Sequence, residues 1–442
     1  MRIEALAVQD FPPFADDELT FPAKPEGSKL AEVQILTGQN GTGKTRLLSI
    51  LAAALGNDSE LKHRINGSDC KAAVVARIGA PVSRLAGWGR VTECGWIAQS
   101  KPSIMLKQLL KGGPENWSAQ LLGVFGSSEQ KKSHKISDSA AMSFRGIAQI
   151  ADAKLTALKP VKIEDPLTLL RFDKTTDEDT QIGQSLVNIK MGAAMERLSN
   201  DDGQSVSRAS LISQGLEDAV SEITGRRFRF SVTPYPEITL RVNWGGATMK
   251  FNQLPDGLRC IIGWLAGCIA KLDALFPEHP DPFSIPLFLL LDEPEGHLHP
   301  AWQRKLIPAV QSLFPNGQFF VATHSPFVIS SVNEGWIHVL RADAETGKVS
   351  FDQPRACSKG DSYVEIVQDI LGVSEWYDPE SEKLLSQFRC LKDDVLAGAW
   401  EKEQELADIA KGIATRSDTL ADLVGGEMRQ FERQKKQAKA AA

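Results

Sequence analysis

Residues 38 to 45 read Gly38-Gln39-Asn40-Gly41-Thr42-Gly43-Lys44-Thr45, which fits the spacing GxxxxGK[ST] in full. That spacing has the chemistry of a phosphate cradle. Glycines let the backbone curl until successive N–H groups face phosphate oxygens, and a helix beginning at the end of the loop adds partial positive charge. Lys44 is placed to reach the β and γ phosphates of a nucleoside triphosphate, and Thr45 to set its hydroxyl on Mg²⁺. Gly38, Asn40, Gly41, Thr42, Gly43, Lys44 and Thr45 are therefore the candidate nucleotide contacts. A flexible glycine-rich turn is the alternative, and it is disfavoured because an apolar strand precedes the loop and an apolar helix follows it.

A second constellation is "PLFLLLDEPEGHLHP", where Asp292 and Glu293 end an apolar run. Such a run implies a strand buried on both faces, and ligands of parallel sheets gather at carboxyl ends. Asp292 is the candidate metal ligand with Thr45. Glu293, on the other side of the pleat, is the candidate base that polarises an attacking water. Without the glycine loop the pair would read as an acidic turn. His324 in "FFVATHSP" also follows an apolar run and precedes a helix start at Pro326, so its imidazole is a candidate γ-phosphate contact. His297 and His299 make an incomplete ligand set for a metal and read better as turn residues.

The elements that must position these residues follow from hydropathy patterning. "EVQILTG" predicts a buried strand and "TRLLSILAAALG" a helix ending at Gly56, so the loop joins strand to helix. The first 21 residues alternate around Pro12 and Pro13 and predict a hairpin or meander. "KAAVVARIG" and "RVTECGWIAQ" predict further strands. "FRFSVTPYPEITLRVNWGGATMKF" alternates again, with Gly245 and Gly246 supplying a turn. Then "GLRCIIGWLAGCIAKLDALF" predicts a helix, "PLFLLLDE" a strand, "AWQRKLIPAVQSLF" a helix and "GQFFVAT" a strand, the order of a mostly parallel α/β sheet. Residues 1–99 are read as an N-terminal lobe, 100–225 as a largely helical insert, 226–345 as a C-terminal lobe and 346–442 as a helical tail carrying Leu384, Leu385, Phe388, Leu391 and Val395.

Composition sets bounds. The chain has 442 residues, 42% of them hydrophobic, enough for two or three lobes. With 50 Lys and Arg against 56 Asp and Glu, a net charge of -6 offers no global field for nucleic acid. The cysteines at 70, 94, 260, 268, 357 and 390 show no zinc or disulfide spacing and suit a reducing cytosol. No apolar run is long enough to span a bilayer, so a cytoplasmic protein without a membrane partner is expected.

Taken in order, "GQNGTGKT", "LLLDEPEGHLHP" and "VATHSPFVI" resemble the Walker A, Walker B with D-loop, and H-switch of the ABC-type ATPases related to SMC proteins, Rad50, RecF and the OLD family. The resemblance implies an ABC/SMC-like P-loop ATPase head, with ATP and Mg²⁺ as ligands and a homodimer or higher even-numbered oligomer as the working form. It places Leu254-Pro255-Asp256-Gly257 at the signature position, which in the family binds the γ phosphate held by the other protomer. Here the motif departs from the family pattern: Pro255 stands where a serine normally contacts phosphate, Asp256 carries the wrong charge for that task, and Arg259 offers compensation. Gln99 and Gln149 both remain candidates for the Q-loop glutamine, and Phe11 or Phe14 for an adenine-stacking ring, with a core role the commoner one.

The helical insert in place of a long coiled coil makes the chain similar to anti-phage ATPases of the PtuA type, in Septu and certain retrons, and to AriA of PARIS. That implies a separate effector, a nuclease or toxin, controlled by ATP-driven assembly. The remaining sequence carries no acidic nuclease domain of the OLD kind, so the chain reads as sensor or scaffold. A RecF-like ATPase acting on DNA directly is the other reading. A transporter subunit is disfavoured by the absent serine-glycine-glycine signature.

Overall fold

Leu287–Asp292 (β11) has all of its residues buried, and its side chains divide by parity. Leu287, Leu289 and Leu291 enter one hydrophobic core, whereas Phe288 and Leu290 enter a second. That is the period-2 geometry of a strand covered on both faces. Truncating any of these leucines to alanine costs about 3 kcal/mol through lost burial and the cavity left behind. The computed structural model describes residues 2–55, 70–78, 83–92, 95–98, 140–145, 176–199, 207–235, 237–357, 360 and 362–441. Gln99 and Gln149 lie outside them.

Chain order begins with Arg2–Gln9 (β1), Asp17–Thr20 (β2), Glu32–Gly38 (β3) and the helix Lys44–Ala54 (α1). Cys70–Ile78 (β4), Ser83–Thr92 (β5), Gly95–Ala98 (β6) and Ala140–Arg145 (β7) follow. "RVTECGWIAQ" thus contributes to two antiparallel strands rather than one. Helices Thr176–Ser199 (α2) and Arg208–Thr224 (α3) lead to the strands Phe228–Thr233 (β8), Thr239–Trp244 (β9) and Ala247–Lys250 (β10). After Asp256–Leu275 (α4) and β11 come Pro300–Leu313 (α5), Gly317–Ala322 (β12) and the single turn Pro326–Ile329 (α6). Trp336–Ala342 (β13), Val349–Phe351 (β14) and Arg355–Ala356 (β15) complete the strands.

The central sheet is 7-stranded in the order β14-β13-β3-β12-β11-β7, with β15 also paired to β13. Pairing is parallel from β13 through β7 and antiparallel at β14 and β15. A second, antiparallel sheet runs β2-β1-β4-β5-β6, and a third is the β8-β9-β10 meander. The register sets Asp292 beside Ala322 and Ala322 beside Leu36, so the carboxyl ends of β11, β12 and β3 meet at one edge. α1 covers the Phe288 face together with β1 and β4, while α3, α4 and α5 cover the Leu289 face. α4 earns its place with Leu258, Ile261, Ile262, Leu265 and Ile269, an i, i+3, i+4, i+7 stripe in the core.

The chain divides into two compact units, Met1–Leu371 and Gly372–Ala442. The second contains Pro379–Leu396 (α7), Glu403–Ala414 (α8) and Asp418–Ala441 (α9). Leu385, Phe388, Val395, Leu406, Ile413, Leu420 and Phe431 form its core. No described helix is long and apolar enough to cross a membrane.

Candidate functional site

The phosphate loop takes its shape from positive-φ glycines. Gly38 has φ 149 and Gly43 has φ 90, and an added Cβ would lie 2.4 Å from the Leu340 carbonyl oxygen at the first and 2.6 Å from the Phe14 ring at the second. No side chain satisfies both constraints, so glycine is obligatory there. Gln39, Asn40 and Gly41 are exposed on the crest, while Thr42 is buried and donates to the Gln39 carbonyl at 2.9 Å. Gly43 is the N-cap of α1 and offers no side-chain cap, which leaves the first-turn N–H groups available to an anion.

Lys44 is 6% exposed, and its Nζ donates to the Gly38 and Gln39 carbonyls at 3.0 and 3.1 Å. Burial holds its pKa below the usual lysine value, opposed by the nearby charges of Glu293, Asp292 and Glu295. A buried ammonium held at the mouth of the loop is placed to meet an anion. Thr45 Oγ1 donates to Asp292 Oδ1 at 3.0 Å. The even-numbered side chains of β11 face α1, which is why Asp292 meets Thr45. A hydroxyl and a carboxylate oxygen at this separation are hard donors that fit a Mg²⁺ ion on a bound phosphate.

Glu293 leaves the strand with φ 50, in the left-handed region, and its amide donates to the Ala322 carbonyl at 2.8 Å. Its side chain is 60% exposed and sets Oε1 3.7 Å from His324 Nε2, too long for a direct hydrogen bond. Burial lowers the His324 pKa, the Lys44 charge lowers it further, and Glu293 opposes them. The imidazole is therefore neutral at neutral pH.

Around this pair lie residues that the sequence reading passed over. Glu295 accepts a hydrogen bond from Thr323 Oγ1, its carboxylate also faces the His324 amide, and its Oε2 is shielded from solvent. Burial raises the Glu295 pKa, the Thr323 hydrogen bond opposes that, and the Glu293 charge adds to it. Ser325 Oγ donates to Gln303 Oε1 at 2.6 Å, and Gln303 Nε2 donates to the Leu298 carbonyl at 2.9 Å. A carboxylate placed just past Pro294 at the end of a buried strand was the available signal for Glu295.

Residues 254 to 257 form a separate cluster. Leu254 is buried, Pro255 stands at the N-cap of α4 without a side-chain cap, and Asp256 pairs with Arg259. A Cβ on Gly257 would lie 2.7 Å from the His297 carbonyl oxygen, so this helix start backs directly onto the turn after β11. His297 occupies that turn with φ 65, and His299 caps α5 by accepting from the Ala301 amide at 3.2 Å. Both histidines serve the turn, and among the described residues no cluster of three or more His, Cys, Asp or Glu is placed to hold a metal ion. Phe11 and Phe14 are 1% and 4% exposed, Phe11 packs on Phe14 and Phe14 on Phe351, and both rings lie in the core.

A glycine loop between β3 and α1, facing carboxylates at the end of β11, defines the class of P-loop nucleotide-binding α/β proteins. More narrowly, residues 95–330, over half of the 442-residue chain, match the family described as "AAA domain, putative AbiEii toxin, Type IV TA system", and the chain belongs to that family. The match begins after the phosphate loop and ends just beyond α6.

Among named relatives, the chain is 28% identical over 166 residues to the Retron Vc95 probable ATPase of Vibrio cholerae, covering 37% of this chain and 31% of that protein. It is 33% identical over 104 residues to the Retron Ec83 probable ATPase of Escherichia coli, covering 24% and 19%. It is 23% identical over 177 residues to the Septu protein PtuA of Bacillus thuringiensis, covering 39% and 44%. The chain thus spans less than half the length of these curated relatives.

Among solved structures, an SMC head bound to the C-winged helix domain of ScpA superposes with a TM-score of 0.44 at 14% identity, over 80% of this chain and 98% of that one. The SMC head domain from Thermotoga maritima gives a TM-score of 0.39 at 13% identity, over the same shares. Superposition of that degree is too low to transfer a site.

Proposed function

We propose that the protein binds ATP with Mg²⁺, hydrolyses it slowly, and uses ATP-dependent pairing of two copies to control a separate effector, a nuclease or toxin, in defence against phage. The observation that carries the hydrolase part is the meeting, at one sheet edge, of the Thr45–Asp292 hydrogen bond with the Glu293–His324 pair. The defence setting is supported by the family and by likeness to retron ATPases and Septu PtuA.

In this reading the first-turn amides of α1 and the Lys44 ammonium hold the phosphates, while Thr45 and Asp292 hold the metal. Bound Mg²⁺ supplies charge neutralisation on the phosphate oxygens. Glu293, exposed beside a neutral His324, takes the proton of the attacking water. His324 orients that water or the γ phosphate. Residues 254 to 257 of a second copy complete the site, with Arg259 in place of the missing serine hydroxyl.

The test is a pull-down of tagged protein carrying Glu293→Gln, with and without ATP, from cells holding the native locus. A stoichiometric nuclease or toxin recovered only with ATP is the expected result. Recovery of DNA and repair proteins without a stable partner identifies a RecF-like maintenance ATPase instead.

A further inference from the structure

We infer that Glu295 and Thr323 are a positioning pair that holds Glu293 opposite His324, an inference that rests on the hydrolase reading above. Glu293 and His324 sit on two different loops, one after β11 and one after β12, and both side chains are partly solvent-exposed. Their own contact, at 3.7 Å, is too long to hold them in place. A residue other than glycine at positive φ, such as Glu293, persists only where its surroundings over-determine it.

Those surroundings form a closed hydrogen-bond circuit. Thr323 Oγ1 donates to Glu295 and accepts from the Ser325 amide at 2.9 Å, so the two residues flanking His324 are tied through one hydroxyl. Ser325 reaches Gln303 on α5, Gln303 reaches the Leu298 carbonyl, and the Leu298 amide returns to the Glu295 carbonyl at 3.0 Å. The Thr323 amide donates to Leu36 on β3 at 3.1 Å, which anchors the circuit to the strand that carries the phosphate loop. None of Glu295, Thr323, Ser325 or Gln303 belongs to the phosphate, metal or water positions argued above. Their effect on hydrolysis runs through Glu293 and His324.

The Glu295–Thr323 link is the one that joins the two loops directly by side chains. Thr323 is fully buried and cannot find a water in place of Glu295, so losing either group loosens both loops, which the Glu293 amide on the Ala322 carbonyl still joins through backbone. A misplacement of 1 Å in a reacting geometry costs about 100-fold in rate, whereas the phosphate contacts of the α1 loop do not depend on this link.

The experiment measures kcat and, separately, ATP dissociation constants on the full chain for Thr323→Val, Thr323→Ser, Glu295→Ala, Glu295→Gln and the double variant T323V/E295A. Thr323→Val and Glu295→Ala are expected to lower kcat by at least about tenfold with ATP affinity within about threefold of the parent. Thr323→Ser and Glu295→Gln, which keep the hydroxyl and the acceptor, are expected to retain kcat within about threefold, and the double variant to be no slower than the worse single. Unchanged kcat in Thr323→Val and Glu295→Ala overturns the pair. So does a loss of ATP affinity that parallels the loss of kcat, or losses that multiply in the double variant, since either marks a merely structural role. A parent protein that turns over no ATP is a separate failure, because it removes the hydrolase reading and this inference falls with it.

Discussion

Thr45 Oγ1 lies 3.0 Å from Asp292 Oδ1 across a separation of 247 residues in sequence, and this hydrogen bond joins the phosphate loop to the acidic end of β11. If the two oxygens hold Mg²⁺, Asp292→Asn removes the charge and keeps the shape. The Mg²⁺ concentration needed for half-maximal turnover should rise by at least about tenfold. A magnesium titration of ATPase rate checks this, and an unchanged half-saturation places the metal elsewhere.

Glu293→Gln should lower kcat by about 100-fold or more while ATP affinity stays within about threefold, because only the proton acceptor is lost. ATP-bound pairs of chains should then accumulate. Native mass measured with and without ATP is the readout, and a variant that turns over like the parent excludes Glu293 as the base.

Lys44→Ala removes a buried ammonium that two loop carbonyls and the neighbouring acids surround. ATP binding should weaken by at least about tenfold, since a charge-assisted contact to phosphate is worth about 1.5–3 kcal/mol. Calorimetric titration with ATP decides, with equal affinities in variant and parent as the contrary result.

Gly257→Ala would put a methyl 2.7 Å from the His297 carbonyl oxygen, which is backbone and cannot step aside. The start of α4 or the turn after β11 must move, at a cost of about 1–3 kcal/mol. A lower urea midpoint together with weaker ATP-dependent pairing is expected. Unchanged stability and pairing would refute the contact.

His338 offers a pH test of stability. It is fully buried on β13, its Nε2 lies 2.7 Å from Gln34 Oε1, and burial pushes its pKa down to about 3. In the unfolded chain the same imidazole titrates near its ordinary value of about 6.5. Between these values the unfolded state binds the extra proton, so this contribution to stability is complete above about pH 6.5 and is lost as pH falls toward 3, by up to about 1.4 kcal/mol per pH unit. His338→Gln should flatten the pH dependence of the urea midpoint between about pH 6 and 4. Parallel curves for parent and variant would refute the assignment.

Much of this arrangement was legible because its signals are local. GxxxxGK[ST] specifies a loop by adjacent residues, and an apolar run such as LFLLL specifies a strand buried on both faces. β13 was harder to read. Its Trp336-Ile337-His338-Val339-Leu340 carries a histidine that belongs in the core only because Gln34 from β3 meets it there. Glu32, Gln34 and Gln318 are likewise polar residues at buried positions, satisfied by one another and by Arg2 from a distant strand.

The chain by itself determined the phosphate loop, the acidic end of β11, the histidine after β12 and the parity that turns Asp292 toward α1, because residue type, spacing and the period of a strand are properties of neighbours along the chain. Only the tertiary structure decided that Glu295 bonds to Thr323, 28 residues away, and that Gly257 backs onto His297. Only it showed that the buried Phe14 ring packs against Gly43 of the phosphate loop. Those contacts arise where separate strands are laid edge to edge, and sheet register fixes them as no local pattern can.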